Sequence, residues 1–219
     1  MGNEIGGPGR NDRPPKWLLF DYGGVVQHLL DDDLVVTLAD RLSANRQQFK
    51  SYFLKHIAAV QSGMLTERAF LAGFLETTVE EVPRGAEHWF VEPFAGQPML
   101  HEGVVDMLDA LAARKMNLAL LSNTIPTHAA FNRSHEGYRW FGADVFLSCE
   151  IGAVKPDVRA FDLVLEKLST PPDEILLIED QQANVVAGAS RGLRTIHHES
   201  ACMLPRRLAE QLRLHAIPI

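Results

Sequence analysis

A chain of 219 residues, 46% hydrophobic and 22% charged, is long enough to bury the core of one α/β domain with an insertion. Its 21 Lys and Arg against 28 Asp and Glu give a net charge of −7, which argues against binding to a nucleic-acid backbone. No apolar run reaches membrane-span length, and the two cysteines lack CxxC spacing, so the sequence predicts a cytoplasmic protein with no membrane partner, no disulfide framework and no zinc site.

Short strands alternate with helical patterns along most of the chain. The first segment, 1–15, is rich in Gly and Pro and is predicted to be a disordered tail. Five segments rich in branched or aromatic residues are predicted to be strands, at 18–20, 117–122, 144–149, 174–180 and 193–198. Apolar faces with helical spacing lie between them, at 104–111, 161–168 and 185–189. This alternation predicts an α/β fold with a mainly parallel sheet.

The region after the first strand, 28–98, interrupts the alternation because its apolar residues have helical spacing throughout. They are Leu34, Leu38 and Leu42, then Phe49, Phe53 and Ile57, then Phe70, Phe74 and Leu75. Thr66 precedes the last group and is a predicted N-cap. We expect a helical cap over the sheet edge, with 16–27 and 99–219 forming the core, although a purely structural helical decoration has the same pattern.

Polar and charged side chains follow four of the predicted strands. Asp21 follows the first strand, Ser122 and Asn123 the second, Lys155 the third, and Glu179 and Asp180 the fourth. Each has a simpler interpretation on its own, as a turn residue, a helix cap or a solvated charge. Because the carboxyl ends of parallel strands meet at one edge of a sheet, we expect these groups together to form one site.

Phosphoryl transfer is the chemistry that this combination favours. Carboxylates from two strands can hold Mg²⁺, which prefers oxygen ligands and offsets phosphate charge. Ser122 and Lys155 can bind the phosphoryl oxygens, which leaves Asp21 to attack phosphorus and form an aspartyl phosphate. Hydrolysis of this intermediate by water would complete the reaction.

Four motifs in order, "FDYGGV", "LLSNT", "VKPD" and "LLIEDQQANVVAG", resemble the haloacid dehalogenase superfamily, in the branch with a helical cap inserted after the first strand. The resemblance covers the chain from Trp17 to the C-terminus and implies a Rossmann-like core. The form FD-x-G-G-V, the "SNTxxxH" stretch and "GMLTERAF" are similar to a bacterial subgroup that includes a phosphatase of α-D-glucose 1-phosphate.

The resemblance also implies roles for individual residues. Asp21 is the expected nucleophile and a ligand of Mg²⁺. The backbone carbonyl of Gly23, with Glu179 and Asp180, completes the expected metal site. The expected phosphate-binding residues are Ser122, Asn123 and Lys155.

Gly23 is a departure from the pattern, since most phosphatases of the superfamily have there an Asp that protonates the leaving group and then activates water. Loss of a general acid costs about 10²- to 10⁴-fold for a poor leaving group. A substrate with a good leaving group, such as an anomeric sugar phosphate, needs little such help. Other proton donors are His28 and the run Asp31 to Asp33, which have simpler interpretations as a solvent-facing imidazole and a helix N-terminus.

The sequence therefore predicts a Mg²⁺-dependent phosphatase of small phosphorylated metabolites, and sugar 1-phosphates are the substrates expected first. One alternative is a 2-haloacid dehalogenase, which also lacks the second Asp but has no acidic pair after the fourth strand. Another is a non-catalytic binding or regulatory protein that retains the fold, for which Gly23 would be a sign of lost activity. The sequence does not indicate the oligomeric state.

Overall fold

The computed structural model of the protein describes residues 13–29, 31–94, 99–199 and 203–213. A parallel five-stranded sheet lies at its centre, with the order β3-β2-β1-β4-β5. The strands are β1 (Trp17–Phe20), β2 (Asn117–Ser122), β3 (Val145–Leu147), β4 (Ile175–Glu179) and β5 (Arg194–His197). This confirms the predicted α/β fold with a Rossmann-like sheet.

The central position of β1 determines what can lie near its end. Phe20 pairs with Leu120 of β2 on one side and with Ile178 of β4 on the other. Asp21 continues the strand direction, and its backbone N–H donates to the carbonyl of Ile178 at 2.9 Å. The register therefore places Asp21 level with Glu179 at the carboxyl edge of the sheet.

Helices cover both faces of this sheet. They are α4 (Glu102–Ala113), α5 (Pro126–Ser134), α6 (Ser148–Ile151), α7 (Val158–Leu168), α8 (Gln182–Ser190) and α9 (Leu204–Leu212). Successive strand residues point to opposite faces, so Leu18 and Phe20 pack in one core cluster with α4 and α9, while Leu19 packs in another with α7 and α8. Burial on both faces explains why the strands are apolar throughout.

Strand β3 is shorter than predicted. The expected strand at 144–149 ends at Leu147, and Ser148 begins the short helix α6. The hydroxyl of Ser148 accepts from the backbone N–H of Thr124 at 2.9 Å and donates to the Thr124 carbonyl at 3.1 Å. These bonds tie the end of this edge strand to the loop after β2, where the chain turns into α6.

The buried face of α8 differs from the predicted one. Val186 is 57% exposed and Ala189 is also exposed. The residues that pack inward are Asn184, Val185, Ala187 and Gly188. The face was missed because two of its members, a glycine and an asparagine, do not contribute to an apolar pattern.

Gly188 permits the close approach of α8 to the sheet, and its replacement by alanine is expected to destabilise the protein. A Cβ atom there would lie 2.6 Å from Leu177 Cδ2, in a fully packed core. We expect Gly188→Ala to lower the free energy of unfolding by about 1 to 2 kcal/mol, measured by urea denaturation. Gly103→Ala is the control, because nothing lies within 4 Å of a Cβ at that position in α4. An unchanged midpoint for Gly188→Ala would contradict the close packing.

A helical insertion, 31–94, lies between β1 and β2. It contains α1 (Asp31–Arg41), α2 (Arg46–Gln61), α3 (Glu67–Leu75) and two short 3-10 helices, Ala86–Phe90 and Glu92–Phe94. Its core is separate from those of the sheet and is formed mainly by Leu34, Leu38, Phe49, Phe53, Phe70 and Phe90. The predicted N-cap is confirmed, since Thr66 Oγ1 accepts from the N–H of Ala69. The domain boundaries at 28 and 98 stay predictions.

The chain enters and leaves the insertion through a paired ribbon. The N–H of His28 donates to the Met99 carbonyl at 2.9 Å, and the N–H of His101 donates to the Val26 carbonyl at 3.0 Å. Gln27 and Leu100 form an antiparallel bridge between these bonds. The two connections are therefore held side by side at the edge of the site.

The end of the N-terminal segment lies beside the sheet, and the disorder of the segment 1–15 stays a prediction. Most of the expected disordered tail, 1–15, lies outside the described residues. Its last three residues are described: Pro15 is buried, and the Arg13 carbonyl accepts from Arg194 at 2.8 Å. Among the described residues, no helix is both long and apolar enough to cross a lipid bilayer.

Candidate active site

Asp21 is the first residue beyond β1, and the fold holds its side chain in place. It is only 5% exposed. Its Oδ1 atom accepts from the backbone N–H of Tyr22 at 2.7 Å and lies 2.9 Å from Lys155 Nζ. These two donors orient the carboxylate at the edge of the sheet.

Lys155 lies in the loop before α7, where its buried ammonium bridges two strand ends. Nζ is 2.5 Å from Glu179 Oε2 as well as 2.9 Å from Asp21 Oδ1. The side chain of Asn123 holds the backbone of this residue, since Nδ2 donates to the Lys155 carbonyl at 2.8 Å and Oδ1 accepts from its N–H at 2.9 Å. Asn123 therefore positions Lys155, and direct phosphate binding by Asn123 stays a prediction.

Three carboxylates meet at this edge. One oxygen from each of Asp21, Glu179 and Asp180 lies within 4.8 Å of the others. Glu179 is fully buried, and Asp180 Oδ1 is a buried oxygen without a hydrogen-bond partner among the described residues. One ammonium does not balance three carboxylates.

The pKa values reflect this excess of negative charge. Burial raises the pKa of Asp21 well above its usual value, and Glu179 raises it further while Lys155 opposes both. Burial and Glu179 raise the pKa of Asp180 to about 6. For Glu179 burial also favours the neutral form, but Lys155 and hydrogen bonds outweigh it and lower the pKa.

A hard divalent cation fits this arrangement. Buried carboxylate oxygens are the donors that Mg²⁺ takes in proteins. Asp180 Oδ1 has no hydrogen-bond partner among the described residues, and the pKa values of Asp21 and Asp180 are raised. Both observations indicate that the described side chains do not supply enough positive charge to these carboxylates. The donor set therefore agrees with the predicted metal site.

Two glycines make room for the site. Gly24 has a φ of +81°, and a Cβ atom there would lie 2.2 Å from Asp180 Oδ2, so only glycine fits without displacing that carboxylate. Gly23 faces the open space beside Asp21, where a Cβ atom would meet only Leu29 Cδ2, at 3.3 Å. The position of the missing acid is thus sterically open.

A cavity of about 310 Å³ brings most of the predicted groups together. Its lining includes Asp21, Gly23, Ser122, Asn123 and Lys155. Ser122 is the last residue of β2 and is 3% exposed. The buried Glu179 lies behind the lining and reaches the site through Lys155 and Asp21.

The alternative proton donors are placed differently from one another. His28 is exposed and lines the cavity, and its ring packs against that of His101 in a tilted arrangement, at a centroid distance of 3.8 Å and an interplanar angle of 56°. Asp32 is 86% exposed at the start of α1 and pairs with Lys50 at 2.7 Å. The simpler interpretation of Asp32 as a solvated residue at a helix N-terminus therefore agrees with its position.

Five amide side chains of the cavity lining were not predicted, those of Gln27, Gln61, Asn132, Gln181 and Asn184. Gln27 Nε2 donates to Asn132 Oδ1 at 3.2 Å, and both residues are buried in the cavity lining. Gln61 reaches the cavity from the last turn of α2. Gln181 and Asn184 line it from the start of α8, and Asn184 Oδ1 is buried with no hydrogen-bond partner in the described part of the chain. One available signal was Gln27, a polar residue that ends the apolar run "GGVV".

The insertion and the sheet domain are joined beside the cavity. Glu67, the first residue of α3, is 5% exposed, and its Oε1 accepts from the N–H and the hydroxyl of Thr127 at 2.9 and 2.7 Å. It thereby caps α5, which follows the Ser122–Asn123 loop. His128 Nε2 is 2.8 Å from the Phe90 carbonyl, and burial lowers the pKa of His128 to about 4.

Comparison with solved structures indicates the same fold in other proteins. An enzyme of the HAD family from Bacteroides thetaiotaomicron superposes with a TM-score of 0.68 at 19% identity, over 85% of this chain and 95% of that one. That enzyme has also been solved with magnesium and inorganic phosphate. L-2-haloacid dehalogenase from Xanthobacter autotrophicus superposes with a TM-score of 0.58 at 19% identity, over 90% of this chain and 83% of that one.

Sequence comparison points to the same group. A phosphorylated carbohydrates phosphatase from Thermotoga maritima is 30% identical over 97 residues, or 43% of this chain and 44% of that protein. Acyl-CoA dehydrogenase family member 10 from Mus musculus is 43% identical over 49 residues, or 22% of this chain and 5% of that protein. The chain thus spans less than half of these curated relatives. A family model matches residues 16–192, and the chain belongs to the haloacid dehalogenase-like hydrolases.

Proposed function

We propose that the protein is a Mg²⁺-dependent phosphatase of small phosphorylated metabolites, with sugar phosphates, and sugar 1-phosphates first, as substrates. The observation that carries the proposal is a buried, oriented carboxylate, Asp21, which lines the cavity together with Lys155. One oxygen from each of Glu179 and Asp180 lies within 4.8 Å of an Asp21 oxygen, outside the cavity lining itself. The similarity to a carbohydrate phosphatase and to an enzyme solved with magnesium and phosphate supports it. The cytoplasmic location stays a prediction.

Asp21 is the proposed nucleophile. One of its oxygens forms a bond to phosphorus while the bond from phosphorus to the leaving oxygen breaks, which leaves an aspartyl phosphate. Lys155 and Ser122 hold phosphoryl oxygens, and Asn123 keeps Lys155 in place. Water then attacks the same phosphorus, releases inorganic phosphate and restores the carboxylate.

The proposed metal ligands are the carboxylates of Asp21, Glu179 and Asp180 and the backbone carbonyl of Gly23. Mg²⁺ would offset the negative charge of the phosphoryl group and of these carboxylates. Lys155 forms ion pairs with both Asp21 and Glu179 and so reduces the repulsion between these two carboxylates. The charge of Lys155 also lowers the pKa of Asp180, but burial and Glu179 raise that pKa by more.

Gly23 limits the leaving groups that the enzyme handles well. A leaving alkoxide of high pKa needs a proton as the bond to phosphorus breaks, and glycine has none to give. An anomeric oxygen is a better leaving group than a primary alkoxide because the neighbouring ring oxygen withdraws electrons. This is the reason for placing sugar 1-phosphates before sugar 6-phosphates.

The charge of the site argues against the dehalogenase alternative. A 2-haloacid brings a carboxylate, and the ammonium of Lys155 is already shared by two carboxylates. The pair Glu179 and Asp180 would repel it without a cation to offset them. The remaining alternative, a non-catalytic phosphate-binding protein, would have the same site but would release no product, so only a turnover measurement distinguishes it from the proposed enzyme.

The proposal is tested by phosphate release from a panel of phosphate esters. With Mg²⁺, we expect faster turnover of glucose 1-phosphate than of glucose 6-phosphate, and loss of both with EDTA that added Mg²⁺ reverses. A parallel assay measures halide release from 2-chloropropionate, which we expect to be absent. Halide release that survives EDTA would favour the dehalogenase. Binding of Mg²⁺ and phosphate without turnover of any ester would favour the non-catalytic protein.

A further inference from the structure

The cavity beside Asp21 offers no fixed positive charge to a second anionic group of a substrate. Among its described lining residues, the ionisable side chains are Asp21, Tyr22, Lys155, His28 and His128. Tyr22 carries no positive charge in either protonation state, and burial raises its pKa. Lys155 lies between Asp21 and Glu179. His128 is neutral at pH 7, because burial lowers its pKa to about 4. His28 is exposed at the mouth of the cavity and packs against the ring of His101.

Amides take the place of charges on the cavity walls. Gln27 is 6% exposed, and its side-chain Nε2 donates to Asn132 Oδ1. The side-chain oxygen of Gln27 is then the other polar atom of this amide. Asn132 also accepts from the Tyr22 hydroxyl, at 3.4 Å. This buried network fixes the Gln27 amide on the wall formed by the sheet domain.

Gln61 faces the cavity from the insertion. It is the one polar side chain that the described residues 31–94 contribute to the lining, where the others are Leu34, Ala58, Phe90, Pro93 and Phe94. Its side-chain amide forms no hydrogen bond with the described part of the chain. An amide carries both donors and an acceptor, which is the complement of a hydroxyl group.

We propose that the leaving group is an uncharged polyol and that Gln61 is a specificity-determining residue which hydrogen-bonds its hydroxyls. The inference rests on the proposed phosphatase function and narrows it: sugar monophosphates are substrates, while bisphosphates and phosphorylated acids are rejected. A second anion would meet amides and apolar side chains instead of a cation, with Asp21 and Asp180 nearby. The cavity volume of about 310 Å³ also suits a ligand of monosaccharide size.

Three substrates and three variants test this inference. We would measure kcat/KM with Mg²⁺ for glucose 1-phosphate, glucose 1,6-bisphosphate and p-nitrophenyl phosphate, which has no polyol. In the unchanged protein we expect glucose 1-phosphate to exceed the bisphosphate at least ~10-fold. Gln61→Ala is expected to lower kcat/KM for glucose 1-phosphate about 10-fold, mainly through KM, and to leave p-nitrophenyl phosphate within about twofold.

Two further variants separate recognition from structure. Gln47→Ala changes an exposed glutamine in the same helix, α2. It is expected to leave kcat/KM unchanged for both glucose 1-phosphate and p-nitrophenyl phosphate. Gln61→Lys introduces a cation and is expected to move the ratio of bisphosphate to monophosphate turnover upward by about 10-fold.

The outcomes distinguish the inference from the function on which it rests. Equal losses on glucose 1-phosphate and p-nitrophenyl phosphate in Gln61→Ala would overturn the inference, as would an unchanged protein that hydrolyses the bisphosphate as fast as the monophosphate. Both results leave the phosphatase standing. Failure to hydrolyse even p-nitrophenyl phosphate would overturn the proposed function and the inference together.

Discussion

Asp21→Asn is expected to reduce phosphate release on the order of 10⁴-fold or more, because the amide is a poor nucleophile and the aspartyl phosphate no longer forms. The substitution keeps the shape of the side chain, so binding of inorganic phosphate can be measured in the inactive protein. Single-turnover phosphate release from glucose 1-phosphate with Mg²⁺ is the test. Residual activity within 10-fold of the unchanged protein would exclude Asp21 as the nucleophile.

The same variant is expected to be at least as stable as the unchanged protein when metal is removed. The pKa of Asp21 is raised in the folded state, mainly by burial, so the folded protein binds this proton more tightly than the unfolded chain does. Stability from this group is therefore full below the unfolded pKa and is lost as pH rises through the folded one. At pH 7 with EDTA, asparagine removes that penalty. The melting temperatures of Asp21→Asn and of the unchanged protein, each measured with EDTA and with Mg²⁺, test this expectation. A melting temperature of Asp21→Asn far below that of the unchanged protein in EDTA would contradict this account.

Gly23→Asp is expected to raise turnover of esters with poor leaving groups by about 10²- to 10⁴-fold, because it supplies the acid that the site lacks. The position accepts a side chain: φ is outside the left-handed region, and a Cβ atom would meet only a movable methyl group of Leu29 at 3.3 Å. Glucose 6-phosphate is the test substrate. For p-nitrophenyl phosphate, whose leaving group needs no proton, we expect little change.

Gly23→Asn is the matched control, since it has the same size as Asp without a proton to donate. It is expected to leave glucose 6-phosphate turnover unchanged. A folded Gly23→Asp variant with no gain on this substrate would indicate that another group already protonates the leaving oxygen, and His28 at the cavity mouth would be the first to replace. An equal gain in both variants would point to a steric effect.

The elements of the sheet were predictable because each strand carries its own signal. The segment 117–122 was predicted with the bounds that the structure has, since an apolar run between the basic pair Arg114–Lys115 and a polar loop leaves little choice. The carboxyl-edge rule then brought Asp21, Ser122, Lys155, Glu179 and Asp180 together without any knowledge of their distances. For these residues, their position at the end of a strand was sufficient to predict that they lie at one edge of the sheet.

Contacts between distant elements were not predictable in the same way. Gln27 and Asn132 are 105 positions apart and meet only because the loop after β1 packs on α5. Gln61 lies on a helix whose periodicity identifies buried positions but does not say which turn faces the cavity. The buried face of α8 was missed for a related reason, because Gly188 is selected by the distance to Leu177 and not by hydrophobicity.

The bonds from Glu67 to Thr127 couple the insertion to the loop after β2, which leads into α5. Any outward rotation of the insertion that separates α3 from α5 must break both bonds and leave the N-terminus of α5 uncapped, at a cost of about 0.5 to 2 kcal/mol. Helix α5 begins directly after the loop that carries Ser122 and Asn123. Separation of the insertion from the sheet domain would therefore remove the cap of α5 and weaken the support of the loop before it, so the same two bonds hold the insertion in place and brace that loop.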